Sequence, residues 1–152
     1  MNIIVDTCVI NCVFDRKSSR FKNFEPIFKC ICNRTSKGKM IFGGSKFKKE
    51  LSPILKGDLR EFFFELRNIG KLIELDQSTV DEKEKTLKII EPKKDFDDEH
   101  IIACVILAKC SLVCSDDKRN DKYIKDPRFY QHSKDRPKIY KTLSKHKNLL
   151  LC

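Results

Sequence analysis

The stretch from residue 95 to residue 117 constrains this chain most, because it sets carboxylates at both ends of one apolar element. An acidic cluster at 95–99 precedes an apolar run at 101–110, and an acidic pair at 116–117 follows the apolar residues 112–114. The run is long enough for a buried helix of about three turns, and residues 112–114 suit a short strand. If the helix packs antiparallel on that strand, both acidic groups lie at one edge of a sheet. Carboxylates gathered there raise one another's pKa unless a cation lies between them, and a divalent metal ion is the simplest such cation.

Composition indicates one soluble domain over residues 1–152. Hydrophobic residues make up 40% of the chain and charged residues 36%, which suits a single core. No apolar run approaches the ~20 residues of a membrane span, and the N-terminus lacks the basic start and apolar stretch of a signal peptide. We therefore expect a cytoplasmic protein that has no membrane partner.

The eight cysteines are expected to be reduced and free of zinc. No Cys-x-x-Cys pair occurs, and the three histidines show no ligand spacing with the cysteines. Several cysteines lie in apolar periodic segments, where a thiol behaves as a small hydrophobic group.

The net charge of +10 is concentrated in a basic C-terminal segment, residues 118–147, which holds eleven Lys and Arg residues against three Asp. This segment follows directly after the second acidic pair. A basic surface beside an acidic metal site suits a polyanionic substrate, whose phosphates Lys and Arg would hold. The alternative is a solvated basic surface that only aids solubility.

Short apolar runs predict four strands, at 2–5, 39–42, 72–75 and 112–114. Helical periodicity predicts helices between them, and a further edge strand is predicted at 149–151. The alternation predicts an α/β fold, a three-layer sandwich in which helices flank a central, mainly parallel β-sheet.

Several local features of the helices are also predicted. Ser45 and Asp58 are expected to cap the helices that they begin, and Ser78 is expected to open a charged helix. In that charged helix, the acids at 81, 82 and 84 are expected on the solvated face. His100 is expected to pack or to face solvent, and no catalytic role is assigned to it.

Four acids follow elements that end at one edge of such a sheet. Asp6 follows the first strand, Glu50 lies in the helix after the second, Asp98 begins the apolar helix, and Asp117 follows the last clear strand. Ligands of open parallel sheets bind at the carboxyl ends of the strands. Oxygen ligands without cysteine or histidine suit Mg²⁺ or Mn²⁺. Asp98 could also serve only as a helix cap.

With these residues in view, the chain resembles the PIN-domain nucleases over nearly its whole length. The matching segments, in chain order, are Ile4-Val5-Asp6-Thr7-x-Val9-Ile10, Glu50 early in the helix after the second strand, Asp97-Asp98-x-x-Ile101-Ile102-Ala103 and Val113-Cys114-Ser115-Asp116-Asp117. The resemblance implies a PIN-like fold in which Asp6, Glu50, Asp98 and Asp117 form the catalytic acidic quartet. Asp6, Asp98 and Asp117 are then the expected metal ligands.

The chain departs from the family pattern at three positions. Cys8 stands where the family often has Asn, Ser115 stands where it has Thr, and Arg119 replaces a further acid. Because that acid is missing, the resemblance implies at least one metal ion and leaves a second open.

The residues around the quartet have supporting roles in this interpretation. Thr7 belongs to the first matching segment, and Ser115 is positioned to orient a carboxylate by hydrogen bonding. Asp97 is an alternative to Asp98, and Asp116 is an alternative to Asp117, as the metal ligand. Candidates for holding the flanking phosphates of a nucleic acid are Lys118, Arg119 and Lys122.

The resemblance implies a Mg²⁺- or Mn²⁺-dependent phosphodiesterase, an endoribonuclease of the toxin or RNA-processing kind. The resemblance favours RNA over DNA as the substrate. An antitoxin partner protein, which accompanies many small PIN toxins, is a possible partner, and a homodimer is also possible. The alternative is a catalytically silent PIN-like module that binds nucleic acid or has a regulatory role. A haloacid-dehalogenase-like phosphatase is less favoured, because that chemistry needs an Asp at position 8, where this chain has Cys8.

Overall fold

The computed structural model describes residues 1–142, in which strands and helices alternate along the chain. The strands are β1 (Asn2–Val5), β2 (Lys39–Gly43), β3 (Leu72–Leu75), β4 (Leu112–Cys114) and β5 (Lys138–Tyr140). The helices are α1 (Ile10–Phe14), α2 (Phe21–Cys32), α3 (Gly44–Leu51), α4 (Gly57–Asn68), α5 (Gln77–Ile90), α6 (Glu99–Ala108) and α7 (Asp121–Ile124). Short 3₁₀ turns lie at Thr7–Val9, Pro127–Phe129 and Ser133–Asp135.

The five strands form one parallel sheet in the order β3-β2-β1-β4-β5. At its centre, Ile4 of β1 is in register with Ile41 of β2 and with Val113 of β4. The chain moves outward from β1 first through β2 and β3, and later through β4 and β5, so the direction of winding changes at β1. The predicted α/β sandwich with a central parallel sheet is confirmed.

Burial explains why the central elements are so apolar. The side chains of Ile3, Ile4 and Val5 in β1 have no exposed surface, as expected for a parallel strand that is covered on both faces. In α6, residues 99–105 are all buried, because this helix packs on β1, β2, α3 and α5. The acidic residues at the start of α6 are therefore held firmly at the carboxyl ends of the central strands.

The four predicted strands are confirmed, while β5 was not placed by the sequence pattern. β5 has three residues and lies at the sheet edge beside β4, with Ile139 in register with Val113. The edge strand predicted at 149–151 and the end of the basic segment lie outside the described residues.

Two of the predicted helix caps are wrong. The N-cap of α3 is Gly43, and Ser45 lies inside the helix, where its hydroxyl donates a 2.5 Å hydrogen bond to Asp81. The N-cap of α4 is Lys56, because the helix already begins at Gly57.

The start of α5 also differs from the prediction. Asp76 caps the helix by accepting a hydrogen bond from the backbone N–H of Thr79 at 2.9 Å. Glu82 is exposed as expected. Asp81, which holds Ser45, and Glu84, which is half-buried, do not lie on a solvated face.

Gly44 allows α3 to begin without any loop after β2. Its φ is +81°, a conformation that side chains with a Cβ adopt at a cost. A Cβ at this position would also lie 2.6 Å from Cγ1 of Val80 in α5. The absence of a Cβ at Gly44 therefore lets the start of α3 pack closely against α5.

Six described cysteines carry free thiols, namely Cys8, Cys12, Cys32, Cys104, Cys110 and Cys114. The expectation of reduced cysteines holds for these six and fails for Cys30, which is disulfide-bonded. Within residues 1–142, none of the helices has both the length and the apolar character that crossing a membrane would require.

Candidate metal centre

Three side chains from two helices converge at the carboxyl edge of the sheet. Glu50 in the last turn of α3, Asp98 at the N-cap of α6 and His100 in the first turn of α6 each offer one ligand atom, and these atoms all lie within 4.8 Å of one another. We refer to these three residues as the ligand group. Carboxylate oxygens and an imidazole nitrogen at this separation are a set that can hold a divalent ion. The expectation that Glu50 lies early in its helix is wrong, because α3 ends one residue later at Leu51.

Glu50 is positioned by one hydrogen bond and one charge contact. Thr7 donates from Oγ1 to Glu50 Oε2 at 3.0 Å, and His100 Nε2 lies 3.4 Å from the same oxygen. The pKa of Glu50 is below its usual range, chiefly because His100 lies against it. Glu50 is therefore ionised near neutral pH.

Asp98 holds a carboxylate that nearby groups do not compensate. It occupies the N-cap position of α6, but its side chain makes no capping hydrogen bond, so a role as a helix cap alone does not account for it. Burial raises the pKa of Asp98 to about 7, and the negative charge of Asp6 adds to the effect. Nearby Asp97 and Glu50 act in the same direction, while His100 opposes them. A cation at this position would relieve the repulsion.

His100 is the member of the ligand group that the sequence interpretation left out. Its side chain is fully buried, and the edge of its ring packs against Phe47 with centroids 5.3 Å apart. Neither ring nitrogen has a hydrogen-bond partner among the described residues. The expectation that His100 packs is confirmed, but packing leaves Nδ1 without a polar contact among the described residues and Nε2 with only the charge contact to Glu50.

Asp6 lies beside the ligand group at the end of β1. Its side chain is buried, and Oδ2 accepts a 2.5 Å hydrogen bond from Ser115 Oγ. Its Oδ1 accepts from the backbone N–H of Cys8 at 3.3 Å and lies 3.4 Å from Thr7 Oγ1, whose single hydroxyl hydrogen is shared with the nearer Glu50 Oε2. Thr7 thus connects Asp6 to Glu50, and Ser115 fixes the orientation of the Asp6 carboxylate.

Asp117 lies outside the ligand group. Arg119 donates to both of its carboxylate oxygens, with the shortest side-chain contact at 2.6 Å from a terminal nitrogen to Oδ2. This pairing holds the pKa of Asp117 below its usual range. The backbone N–H of Asp117 also donates to Ser115 Oγ at 3.2 Å, so Ser115 joins Asp117 to Asp6.

The two alternative acids of the sequence interpretation have other surroundings. Asp116 forms an ion pair with Arg20. Asp97 is exposed, and its backbone carbonyl accepts a hydrogen bond from Lys46. Neither of these acids belongs to the ligand group, and the metal-binding roles of the predicted quartet stay predictions.

The three candidate phosphate-binding residues lie near the acidic edge. Lys118 is exposed, and the side chain of Arg119 is 78% exposed although it is bound to Asp117. Lys122 pairs with Asp95 at 2.9 Å. Arg119 can therefore reach an incoming anion without leaving the site.

A second set of charged side chains lies between α3, α5 and α6. Glu99 is buried and contacts Lys46 at 3.2 Å and Lys88 at 3.6 Å. Glu84 projects from α5, and its Oε1 is buried without a hydrogen-bond partner in the described part of the chain.

The donor set fits a divalent ion. Glu50, Asp98 and His100 are close enough to share one ion, Asp98 has an uncompensated carboxylate, and Asp6 adds a fixed negative charge beside them. Comparisons with protein-family models, with curated proteins and with solved structures found no match to this chain.

Proposed function

We propose that this protein is a metal-dependent phosphodiesterase, and more narrowly a Mg²⁺- or Mn²⁺-dependent endoribonuclease of the PIN-like kind. The observation that carries the proposal is the convergence of Glu50, Asp98 and His100 beside Asp6, at the edge of a parallel sheet where ligands bind. An uncompensated carboxylate such as Asp98 favours a cation as the ligand.

The surrounding charge favours a nucleic acid as substrate. Exposed Lys118 and Arg119 lie directly after β4, at the same edge as the ligand group, and the basic segment continues beyond them. Such a surface attracts the phosphate backbone irrespective of sequence. RNA as the substrate, an antitoxin partner, a homodimer and a cytoplasmic location belong to this proposal through the resemblance to PIN domains.

Each residue of the site would have a distinct part in hydrolysis. The resemblance makes Asp6, Asp98 and Asp117 the candidate ligands, and Ser115 keeps Asp6 in place. The geometry adds Glu50 and His100 to the groups that could hold the ion. A divalent ion bound there would lower the pKa of a water molecule and neutralise charge that develops on the phosphate. Glu50 is ionised and held by Thr7, so it can ligate the ion or position the attacking water.

The position of Arg119 supports a second candidate function, a catalytically silent module that binds nucleic acid. Arg119 already neutralises Asp117, which removes one of the three proposed ligands unless the pair opens. A catalytically silent module that binds nucleic acid would tolerate such a pair. This alternative predicts salt-dependent RNA binding that persists in EDTA.

A cleavage panel with a matched variant tests the proposal. Single-stranded and structured RNA and DNA would be incubated with the protein in Mg²⁺, in Mn²⁺ or in EDTA, beside Asp6→Asn. The matched control is Asp58→Asn, because Asp58 is an exposed acid in the first turn of α4. We expect divalent-dependent cleavage that Asp6→Asn abolishes and Asp58→Asn keeps.

Two results would contradict the proposal. An Asp6→Asn protein with full activity would exclude the assigned site. If no substrate is cleaved with either ion while RNA binding persists in EDTA, the silent module becomes the correct interpretation.

A further inference from the structure

His100 is a buried polar group whose surroundings leave it unsatisfied. The side chain has no exposed surface, neither ring nitrogen makes a well-formed hydrogen bond among the described residues, and Nε2 has only a 3.4 Å charge contact with Glu50 Oε2. Each buried polar atom without a partner costs about 1–3 kcal/mol. Native proteins rarely retain such groups without a reason, so the ring nitrogens of His100 are candidates for ligand binding.

One ring nitrogen faces the ligand group. His100 Nε2 lies 3.4 Å from Glu50 Oε2, and Asp98 places a carboxylate oxygen within 4.8 Å of both residues' ligand atoms. Phe47 packs against the ring and limits its rotation. Nε2 is thus aimed at the position where the carboxylates of Glu50 and Asp98 converge.

A second unsatisfied group comes from α5. Glu84 Oε1 is buried and has no hydrogen-bond partner in residues 1–142. Burial raises the pKa of Glu84, and the nearby His100 is the strongest influence in the opposite direction. Glu84 Oε1 also lies at the start of α3, since a Cβ at Gly44 would be 3.0 Å from it.

The two unsatisfied groups are chemically complementary. A neutral imidazole that binds a metal ion through Nε2 carries its proton on Nδ1, and that N–H needs an acceptor. In metal sites the acceptor is commonly a carboxylate, which fixes the orientation of the ring and increases its basicity. Glu84 supplies a carboxylate of this kind from α5; its Oε1 and His100 Nδ1 are not hydrogen-bonded to each other in the structure, so the Glu84 side chain would turn toward Nδ1 when the ion binds.

We propose that His100 is a metal ligand through Nε2, that Glu84 orients it from Nδ1, and that this nitrogen ligand makes the site select first-row transition ions over Mg²⁺. The inference rests on the metal site of the proposed function but not on cleavage. Imidazole favours transition ions, whereas Mg²⁺ prefers sites made of oxygen ligands alone. Glu84 is a positioning residue, because it acts through His100.

The direct test uses Mn²⁺ as a paramagnetic probe on the full chain. Pulsed electron paramagnetic resonance of bound Mn²⁺ detects hyperfine coupling to a directly ligating ¹⁴N nucleus. We expect this coupling in the wild-type protein and its loss in His100→Gln. Absence of the coupling in wild-type protein with bound Mn²⁺ would overturn the proposal without any variant, and so would failure to bind Mn²⁺.

Dissociation constants for Mn²⁺ and Mg²⁺ test selectivity and the role of Glu84. We expect Glu84→Gln to weaken Mn²⁺ binding by about 10–100-fold, the range for groups that orient a ligand, and to change Mg²⁺ binding less. Glu82→Gln, an exposed acid on the same helix, should change neither constant. Equal effects of Glu84→Gln and Glu82→Gln on Mn²⁺ binding would remove Glu84 from the site.

The outcome for cleavage is separate from the outcome for binding. A protein that shows ¹⁴N coupling and selects Mn²⁺ but cleaves no nucleic acid supports this inference and contradicts the proposed function. A protein that cleaves RNA equally well in Mg²⁺ and Mn²⁺ and shows no ¹⁴N coupling supports the proposed function and contradicts this inference.

Discussion

Replacing Asp98 with Asn should make the metal-free protein more stable at pH 8. The carboxylate of Asp98 lies half-buried beside the negative charges of Asp6 and Glu50, and its pKa rises from 3.8 to about 7. Its ionised form therefore destabilises the fold. Asn has nearly the same shape and no charge, so the substitution removes the repulsion and keeps the packing.

The size of the effect follows from the pKa of Asp98. A shift from 3.8 to about 7 corresponds to roughly 4 kcal/mol of unfolding free energy above pH 7, at about 1.4 kcal/mol for each pH unit. Because the side chain is partly solvated, screening reduces this figure, and we expect about 2 kcal/mol. In a chain of this length that raises the melting temperature by about 4–8 °C.

The pH dependence has a definite sign. A raised pKa in the folded state means that Asp98 favours folding below pH 3.8, and this contribution is lost as pH rises through about 7. Wild-type protein and Asp98→Asn should therefore melt at similar temperatures near pH 4. The advantage of Asp98→Asn should grow between pH 4 and pH 7 and then stay constant.

Thermal unfolding followed by circular dichroism measures the stability of the metal-free protein in EDTA and of the metal-bound protein in excess Mn²⁺. An ion at 100 times its dissociation constant stabilises the protein that binds it by about 2.7 kcal/mol. Since Asp98→Asn loses a ligand, the order of stabilities should reverse in Mn²⁺. Asp97→Asn, at an exposed neighbouring position, is the matched control and should change little.

This prediction is contradicted if Asp98→Asn has a native far-ultraviolet spectrum and melts at or below the wild-type temperature in EDTA at pH 8. That result would mean that the Asp98 carboxylate is compensated in solution, and the main electrostatic argument for a cation would fail.

Three further predictions concern the same edge of the sheet. Ser115→Ala removes the donor to Asp6 Oδ2 and the acceptor of the Asp117 N–H, so we expect cleavage by the purified variant to fall about tenfold. The free energy of unfolding should also fall by about 1–3 kcal/mol, because the buried Asp6 oxygen loses its partner. Mn²⁺ affinity, measured by titration between pH 5 and pH 8, should rise with pH up to about 7, because Asp98 must lose its proton to bind the ion. Gly44→Ala should lower the free energy of unfolding by about 2–4 kcal/mol in urea titrations, since its φ is +81° and the added Cβ would lie 2.6 Å from a side chain of α5. Gly57→Ala, at φ +51° with open space around it, should cost only about 1 kcal/mol, and equal losses at the two glycines would contradict the argument from close packing.

The sequence predicted the sheet well because β1 to β4 are continuous apolar runs between turn residues. Parallel pairing then brought Asp6, Glu50 and Asp98 to the same edge without knowledge of any side-chain contact. β5 was missed because Lys138–Tyr140 has only two apolar residues, within a basic segment that gives no periodic signal. The pairing of Asp117 with Arg119 was missed because side-chain direction in a loop does not follow from spacing.

His100 was overlooked because residues two apart do not share a face in a regular helix. Asp98, however, is the N-cap, with φ −104° and ψ 33°, so it lies outside the helical periodicity that positions His100. The two side chains can then converge. A histidine two residues after an N-cap acid is a weak signal that only the three-dimensional arrangement makes specific.

Glu84 did leave a usable signal in the sequence. Val80 and Leu87 are the buried residues of α5, and Glu84 lies four residues after the first and three before the second. These spacings place all three on one face of the helix, so a carboxylate stands in an otherwise apolar stripe. A charged residue in such a stripe conflicts with packing unless something pairs with it, and such conflicts tend to mark functional sites.

The acids at this edge of the sheet fall into two groups according to their compensation. Asp117 and Asp116 each have an arginine partner, so they add little to the demand for a cation. Asp98 and Glu84 have raised pKa values caused chiefly by burial, and they lie on either side of His100 in the arrangement we propose. The uncompensated acids lower the stability of the fold, whereas the acids paired with arginine do not. A metal ion is therefore expected beside the uncompensated acids. We expect the ion nearer to α3 and α6 than to the loop after β4. Among the four acids of the predicted quartet, substitution of Asp117 should affect metal binding least.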